Sequence, residues 1–355
     1  MTDKPLDLAD YGWSPYFQSQ LDLTDLETKA PARVVAVHRG MIEVAGPTFT
    51  GRIDTGMLEN RDDEERATVG DWLLLDRSTD RPVGLLERRS LFKRKAPGTG
   101  RALQLIAANV DTLLVVSSCN QDFNLARLER YLALAREAEV QPIVILTKAD
   151  LADDPGSYVS KTARLLPGLL VECIDARSRV DVARIEPWCG RGQTVALLGS
   201  SGVGKSTLTN TLAGDEVQTT RGIREDDARG RHTTTGRSLH RLPTGGWLLD
   251  TPGMRELQLT DSERGLDDVF ADIANLAAAC RFSDCGHQSE PGCAVLAAIE
   301  QGDLDPNRLK RYRKLVAENA KNQASLAERR SNDRAFGKMV KGAMREKRSR
   351  QGDKG

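Results

Sequence analysis

The chain has 355 residues, 39% of them hydrophobic, enough for about two or three packed domains. No apolar run approaches the ~18 residues of a membrane span, and Met1-Thr2-Asp3-Lys4-Pro5 lacks the basic and apolar regions of a signal peptide, so a cytoplasmic chain without a membrane partner is expected. The formal net charge is +0, so overall charge points to no polyanionic partner and only local patches could serve one.

Residues 1–30 are acidic and irregular, with Tyr11, Trp13, Tyr16 and Phe17 bunched together. They read as an arm docked on the next domain; stacking on bases is the alternative use of such rings. Residues 31–95 carry short apolar runs (Val34 to Val37, Met41 to Val44, Trp72 to Leu75, Val83 to Leu86) separated by Gly and Asp turns, the pattern of a small β-barrel. Arg88, Arg89, Lys93, Arg94 and Lys95 close this segment and form a basic patch suited to phosphate, or simply a solvated face.

After a linker over 96–101 the pattern turns α/β. Val110 to Ser117 reads as a buried strand, and Leu125 to Ala138 as a helix with Leu128, Leu132 and Ala135 on one face. Pro142 to Leu146 is a second strand, ending in Thr147-Lys148-Ala149-Asp150. That tetrapeptide resembles the Asn/Thr-Lys-x-Asp guanine-specificity motif of GTPases. An Asp150 carboxylate accepts from both N1–H and N2–H₂ of guanine, whereas adenine offers the wrong pattern, and the Lys148 stem can lie over the base. Thr147 replaces the commoner Asn, which should weaken one supporting hydrogen bond to the phosphate loop. The strand Leu170 to Ile174 leads to Asp175-Ala176-Arg177, placed where a Ser-Ala-x loop of GTPases backs the guanine through a backbone N–H.

The apolar run Val195 to Leu198 enters Gly199-Ser200-Ser201-Gly202-Val203-Gly204-Lys205-Ser206-Thr207, the P-loop pattern in its strand-then-helix setting. Its glycines let successive N–H groups point at phosphate oxygens, and the following helix adds its positive end. Lys205 reaches the β- and γ-phosphates, and the Ser206 hydroxyl is a Mg²⁺ ligand. Residues 214–236 are polar and contain Arg229-Gly230-Arg231-His232-Thr233-Thr234-Thr235, a switch segment in which Thr234 is expected to meet Mg²⁺ and the γ-phosphate. Trp247 to Leu249 forms a strand ending at Asp250-Thr251-Pro252-Gly253; Asp250 holds the metal through water and the Gly253 N–H bonds the γ-phosphate. Met254 follows, where Ras-like enzymes carry a water-orienting Gln, so His232 is the internal candidate for that task. In ordinary GTPases the Thr-Lys-x-Asp element follows the P-loop; here it precedes it, so the order is circularly permuted.

Cys119, Cys173 and Cys189 read as core residues. Cys280, Cys285, His287 and Cys293 supply three thiolates and one imidazole, a complete tetrahedral set for one structural Zn²⁺. Helical patterning follows from Val295 and from Arg308, and the tail from Phe336 is basic.

The permuted order, Gly-Arg-His-Thr-Thr-Thr (230–235), Asp-Thr-Pro-Gly-Met-Arg-Glu-Leu (250–257), Ile-Ala-Ala-Asn-Val-Asp (106–111) and the Cys/Cys/His/Cys cluster together resemble the ribosome small-subunit-dependent GTPase A (RsgA) family. The resemblance covers roughly residues 31–317. It implies an OB-fold barrel over 31–95, a permuted GTPase domain over 102–260 and an α-helical zinc-binding domain over 261–320, with the arm (1–30) and a basic tail (321–355) flanking them. It implies GTP hydrolysis to GDP stimulated by the small ribosomal subunit, contact with its rRNA, and a role in its late maturation; a monomer is expected. Two other readings stay open at this point: a permuted GTPase on another RNA assembly, and a zinc-dependent RNA-binding module that senses GTP/GDP with little turnover.

Overall fold

The computed structural model describes residues 5–38, 40–54, 56, 66–95, 103–214, 237–250, 257, 259 and 262–323. The N-terminal strands are β1 (Lys29–His38), β2 (Met41–Ala45), β3 (Thr50–Asp54), β4 (Trp72–Asp76) and β5 (Pro82–Leu85), each antiparallel to its neighbours. Their inward residues recur at every second position, as a sheet with one packed face requires: Ala32 and Val34, Ile42 and Val44, Leu73 and Leu75 are all buried in one cluster with Ile53. β6 (Leu91–Lys95) and β7 (Leu103–Ala108) form a separate antiparallel ribbon.

The basic patch is largely committed inside this region. Arg88 donates to both oxygens of Asp71 at 2.7 and 2.8 Å and to the Arg66 carbonyl, with the Asp71 side chain fully buried. Arg89 pairs with Asp111, and the Arg94 Nε donates to Gln104 at 2.9 Å. Arg88 is therefore a structural ion pair rather than a residue open to phosphate, a fate that charge alone does not reveal.

The α/β part contains β8 (Thr112–Ser118), β9 (Gln141–Thr147), β10 (Leu170–Cys173), β11 (Thr194–Leu198), β12 (Arg237–Arg241) and β13 (Trp247–Asp250). Strands β10, β9, β8, β11 and β13 lie side by side in parallel. Every residue of β8 is buried, as expected of a parallel strand covered on both faces. β12 turns antiparallel against β13 and, on its other edge, pairs with β1 (Ala36 opposite Ser238, Val37 opposite Arg237). β1 is thus shared. Its first half pairs with β4, a bulge falls between Val34 and Ala36, and its second half pairs with β12. One continuous sheet therefore joins the N-terminal strands to the nucleotide-binding part.

The arm seals this joint with its short helices α1 (Pro15–Gln18) and α2 (Leu23–Thr28). Phe17 is buried, Trp13 stands edge-on to Trp72 with centroids 4.8 Å apart, and Tyr11 stacks on Trp247 of β13 at 5.7 Å. These rings pack against protein. Buried Arg33 of β1 ties the three parts together: it donates to the Tyr11 carbonyl at 2.5 Å, to Thr194 Oγ1 at 2.7 Å and to the Asn109 carbonyl at 3.3 Å.

Helices α3 (Leu125–Glu137), α4 (Pro155–Ala163), α5 (Arg179–Val182) and α6 (Lys205–Ala213) lie in the α/β part. The C-terminal part is helical: α7 (Glu263–Val269), α8 (Ala271–Ala277), α9 (Ala294–Gln301) and α10 (residues 306–323). Leu128, Leu132 and Ala135 of α3 are buried, as their spacing predicts. The same helix also buries Glu129, which accepts from Arg308 Nη1 at 3.1 Å and Arg311 Nε at 2.7 Å of α10. Truncating Glu129 to Ala takes the shared carboxylate from two largely buried guanidinium groups, leaving Arg308 with Asp272 and Arg311, among the described residues, with only a 3.9 Å contact to Asp305. The expected cost is about 3–5 kcal/mol, read as a lower urea midpoint, with Arg308→Ala giving a similar loss.

Candidate nucleotide site and metal centre

Parallel α/β sheets bind ligands beyond the carboxyl ends of their strands, and every nucleotide-related motif in the described residues falls there. The P-loop leaves β11 between β8 and β13, Thr147 ends β9, Asp175 follows β10, and Asp250 ends β13. Three glycines of the loop are dictated by the backbone, Gly202 among them with φ of 79°. Gly204 has φ of 92°, in the left-handed region, and a Cβ on Gly199 would sit 2.3 Å from the Val116 carbonyl oxygen. Val203 is buried, while Ser201 in the loop and Ser206 and Thr207 in the first turn of α6 are exposed, at the helix end whose dipole favours an arriving anion. Lys205 donates its Nζ to the Ser200 carbonyl, folding back over the loop.

Thr147 is fully buried and donates its hydroxyl to the Val203 carbonyl at 2.6 Å, with the Ser117 carbonyl at 3.1 Å also in reach. The support expected to be weak with Thr in place of Asn is thus a short hydrogen bond. It fastens the guanine-specificity loop directly to the phosphate loop. Lys148 has φ of 58°, the left-handed turn that presents Asp150 on the following 3₁₀ segment (Ala149–Leu151). Arg177 bridges the two loops on the base side. Its Nη2 donates to Asp150 Oδ2 at 2.7 Å and its Nε to Asp175 Oδ1 at 3.0 Å. Hydrogen bonding from Arg177 holds the Asp175 carboxyl below the usual carboxylate range. Ala176 is buried, and its carbonyl accepts from Thr211 Oγ1 of α6 at 2.7 Å, so this loop is anchored to the P-loop helix.

The structure therefore gathers Thr147, Lys148, Asp150, Asp175, Ala176 and residues 199–207 along one edge. Asp250 is placed there by its backbone alone. His232, Thr234, Gly253 and Met254 lie outside the described residues. Arg127, which touches the P-loop from α3, was not legible in the sequence; it stands in an ordinary amphipathic helix with no motif around it.

The second centre is in the C-terminal part. One ligand atom from each of Cys280, Cys285, His287 and Cys293 lies within 4.8 Å of all the others. Cys280 and Cys293 sulfurs are 3.8 Å apart, and His287 Nδ1 is 3.6 and 3.5 Å from them. A tetrahedron with metal–sulfur bonds of ~2.3 Å and a metal–nitrogen bond of ~2.0–2.1 Å has edges of about 3.5–3.8 Å, which the three edges among Cys280, Cys293 and His287 match, with the Cys285 sulfur within 4.8 Å of them. Local structure sets them up. Cys293 is the N-cap of α9; burial raises the Cys280 thiol, but the Ala294 and Val295 N–H groups together with hydrogen bonds to Cys293 and Cys285 bring it below its ordinary pKa. Burial and then Arg313 lower the His287 pKa, which favours the neutral imidazole, the form that ligates. Glu290 closes the loop. The N–H groups of Glu290 itself, Ser289, Gln288 and Gly286 surround its carboxylate and depress its pKa to about 2.

A P-loop and a guanine-specificity loop at the carboxyl ends of β11 and β9, flanking β8 in one parallel sheet and in reversed chain order, define a circularly permuted GTPase. Comparison with known proteins narrows this to a family: the RsgA GTPase family model matches residues 85–260, and the chain belongs to that family. The chain is 51% identical over 97% of its length to "Small ribosomal subunit biogenesis GTPase RsgA 2" of Vibrio parahaemolyticus, covering 94% of that protein. It is 50% identical over 89% of its length to "Small ribosomal subunit biogenesis GTPase RsgA" of Mesorhizobium japonicum, covering 90% of it. The fold is similar to that of YjeQ from Thermotoga maritima (TM-score 0.59, 24% identity, 82% of this chain and 98% of that one). It is likewise similar to YloQ, described as a circularly permuted GTPase (TM-score 0.58, 24% identity, 83% and 96%). As a member of this family the chain is a GTP hydrolase. Among the described residues no helix is long and apolar enough to cross a membrane.

Proposed function

We propose that this chain binds the small ribosomal subunit and its rRNA, assists late maturation of that subunit, and hydrolyses GTP to GDP and phosphate under its stimulation, acting as a cytoplasmic monomer. The observation that carries the reading is the locking of the guanine loop onto the phosphate loop, Thr147 Oγ1 to Val203 O at 2.6 Å, in a chain that matches small-subunit biogenesis GTPases along nearly its whole length. Asp150 selects guanine, and the backbone at Asp175 and Ala176 backs the base. The N–H groups of residues 199–207 cradle the phosphates, and Lys205 leaves the Ser200 carbonyl to neutralise the β- and γ-phosphate oxygens. Ser206, Thr234 and Asp250 would hold Mg²⁺, which when bound supplies charge compensation between the β- and γ-phosphates. The Gly253 N–H bonds the γ-phosphate, and His232 orients the attacking water in place of the residue that Met254 does not supply. Cys280, Cys285, His287 and Cys293 hold one structural Zn²⁺. The domain limits proposed are 31–95, 102–260 and 261–320.

Turnover measured alone, with small subunits and with large subunits tests this. Hydrolysis is expected to be slow alone and strongly stimulated by small subunits only. His232→Ala is expected to cut the stimulated rate by ~10²–10⁴ while GTP affinity and subunit binding persist. Stimulation by large subunits instead, or by neither, would overturn the assignment of partner.

A further inference from the structure

We propose that Arg127 is a positioning residue for the phosphate loop, holding Ser200 in place when Lys205 moves to the nucleotide. This rests on the reading of residues 199–207 as the phosphate loop. Arg127 Nη1 donates to Ser200 Oγ at 2.8 Å. The carbonyl of the same serine accepts from Lys205 Nζ, so residue 200 is held by two cations, one at its side chain and one at its backbone. Phosphate binding removes the second of these contacts, because Lys205 has one ammonium group and the β- and γ-phosphates attract it more strongly than a neutral carbonyl does. The Arg127 contact is the one that does not have to break.

Arg127 is also well mounted for this task. It lies in the first turn of α3, where Asn124 Oδ1 accepts its backbone N–H at 3.0 Å as the helix cap. Two residues on, buried Glu129 is gripped by Arg308 and Arg311, and Arg130 pairs with Glu318. The helix that carries Arg127 is therefore clamped to the C-terminal helices within one turn of the residue that touches the loop. A guanidinium delivered from a fixed helix loses little freedom on making its hydrogen bond, which is how positioning residues act. The contact is to the loop and not to the γ-phosphate site, so it serves GDP and GTP alike.

The test is equilibrium binding of GDP and of a non-hydrolysable GTP analogue to full-length Arg127→Ala, Arg127→Lys, Ser200→Ala and the Arg127→Ala/Ser200→Ala double variant, with Lys205→Ala as control. Arg127→Ala is expected to weaken both nucleotides about tenfold, the typical consequence of losing a charge-assisted hydrogen bond. Ser200→Ala should do the same, the double variant should be no worse than either single one, and Arg127→Lys should recover most of the loss. The thermal midpoint of the nucleotide-free protein should shift equally in Arg127→Ala and Ser200→Ala, because each removes the same hydrogen bond. Additive losses in the double variant, a loss confined to the GTP analogue, or unchanged affinity would each overturn the proposal. If Lys205→Ala abolishes binding while Arg127→Ala does nothing, only the role of Arg127 falls. If Lys205→Ala binds normally, the phosphate-loop reading falls and takes this proposal with it.

Discussion

A Cys285→Ala chain is expected to lose its zinc, about one ion per chain, and with it the ordered packing around α8 and α9. The magnitude comes from the way such sites fold: structural zinc contributes an apparent ~10–16 kcal/mol in finger peptides, because the unfolded chain has no preformed site. Here the ligands close the loop between two helices that reach the core through Ile273, Val295 and Ala298, while the loop itself buries little. Cys280 follows α8, Cys285 and His287 sit in a loop of exposed residues, and Cys293 caps α9. Of the residues from 281 to 292 only His287 is buried. Without the ion, the Cys280 and Cys293 thiols and the His287 imidazole, at 3.5 to 3.8 Å, have only weak sulfur hydrogen bonds between them. Elemental analysis and hydrogen exchange check the expectation. Zinc content should fall and protection should be lost over residues 280–301, while the exchange pattern of β8, β9 and β11 and the affinity for GTP persist. Undiminished zinc in the variant would remove Cys285 from the ligand set.

Asp150→Asn is expected to turn nucleotide preference from guanine to xanthine. A carboxylate accepts two hydrogen bonds from the N1–H and N2–H₂ edge; a carboxamide offers one acceptor and one donor, so the amide N–H meets the guanine amino group donor to donor. Xanthine carries an accepting O2 at that place and restores the match. Hydrogen bonds to charged groups are worth about 1.5–3 kcal/mol each, and polar sites reject mismatched analogues strongly, so GTP affinity should fall roughly 10²–10⁴-fold with a reciprocal gain for xanthosine triphosphate. The structure adds a condition. Arg177 already donates to Asp150 Oδ2, and this exposed pair contributes little by itself, but it keeps the carboxylate facing the Asp175 loop. Competition binding with GTP, ATP and xanthosine triphosphate reads the switch; an unchanged preference for GTP would place guanine recognition elsewhere.

The parts of the site that the sequence determines are those whose chemistry needs neighbouring residues on one stretch of chain. A phosphate is cradled by successive backbone N–H groups, so the P-loop has to be contiguous, and Gly199 to Thr207 spell it out. The Asp150 loop is likewise four adjacent residues, and the proposed zinc ligands fall within 280–293 because a short loop can close a tetrahedron. The buried strands were legible for a similar reason: Thr112–Ser118 is apolar enough that only a strand covered on both faces suits it.

Tertiary structure decided everything that depends on partners far apart in sequence. Thr147 looked like a weak substitute for Asn until the fold set its hydroxyl 2.6 Å from the Val203 carbonyl, across 56 residues. Arg88 looked like part of a phosphate-binding patch until both oxygens of Asp71 took the Nε and Nη2 edge of its guanidinium. The pairing of β12 with β1 could not be read either, because an edge strand offers the same unpaired N–H and C=O groups to any partner and its side chains do not name one. Arg127 stood in a helix that its periodicity explained completely, and only packing brought it to Ser200, 73 residues away. Motifs are local because backbone geometry is local. Side-chain partners are not, because a long polar side chain bonds whatever the packed core carries to its tip, and that is settled only when the core closes.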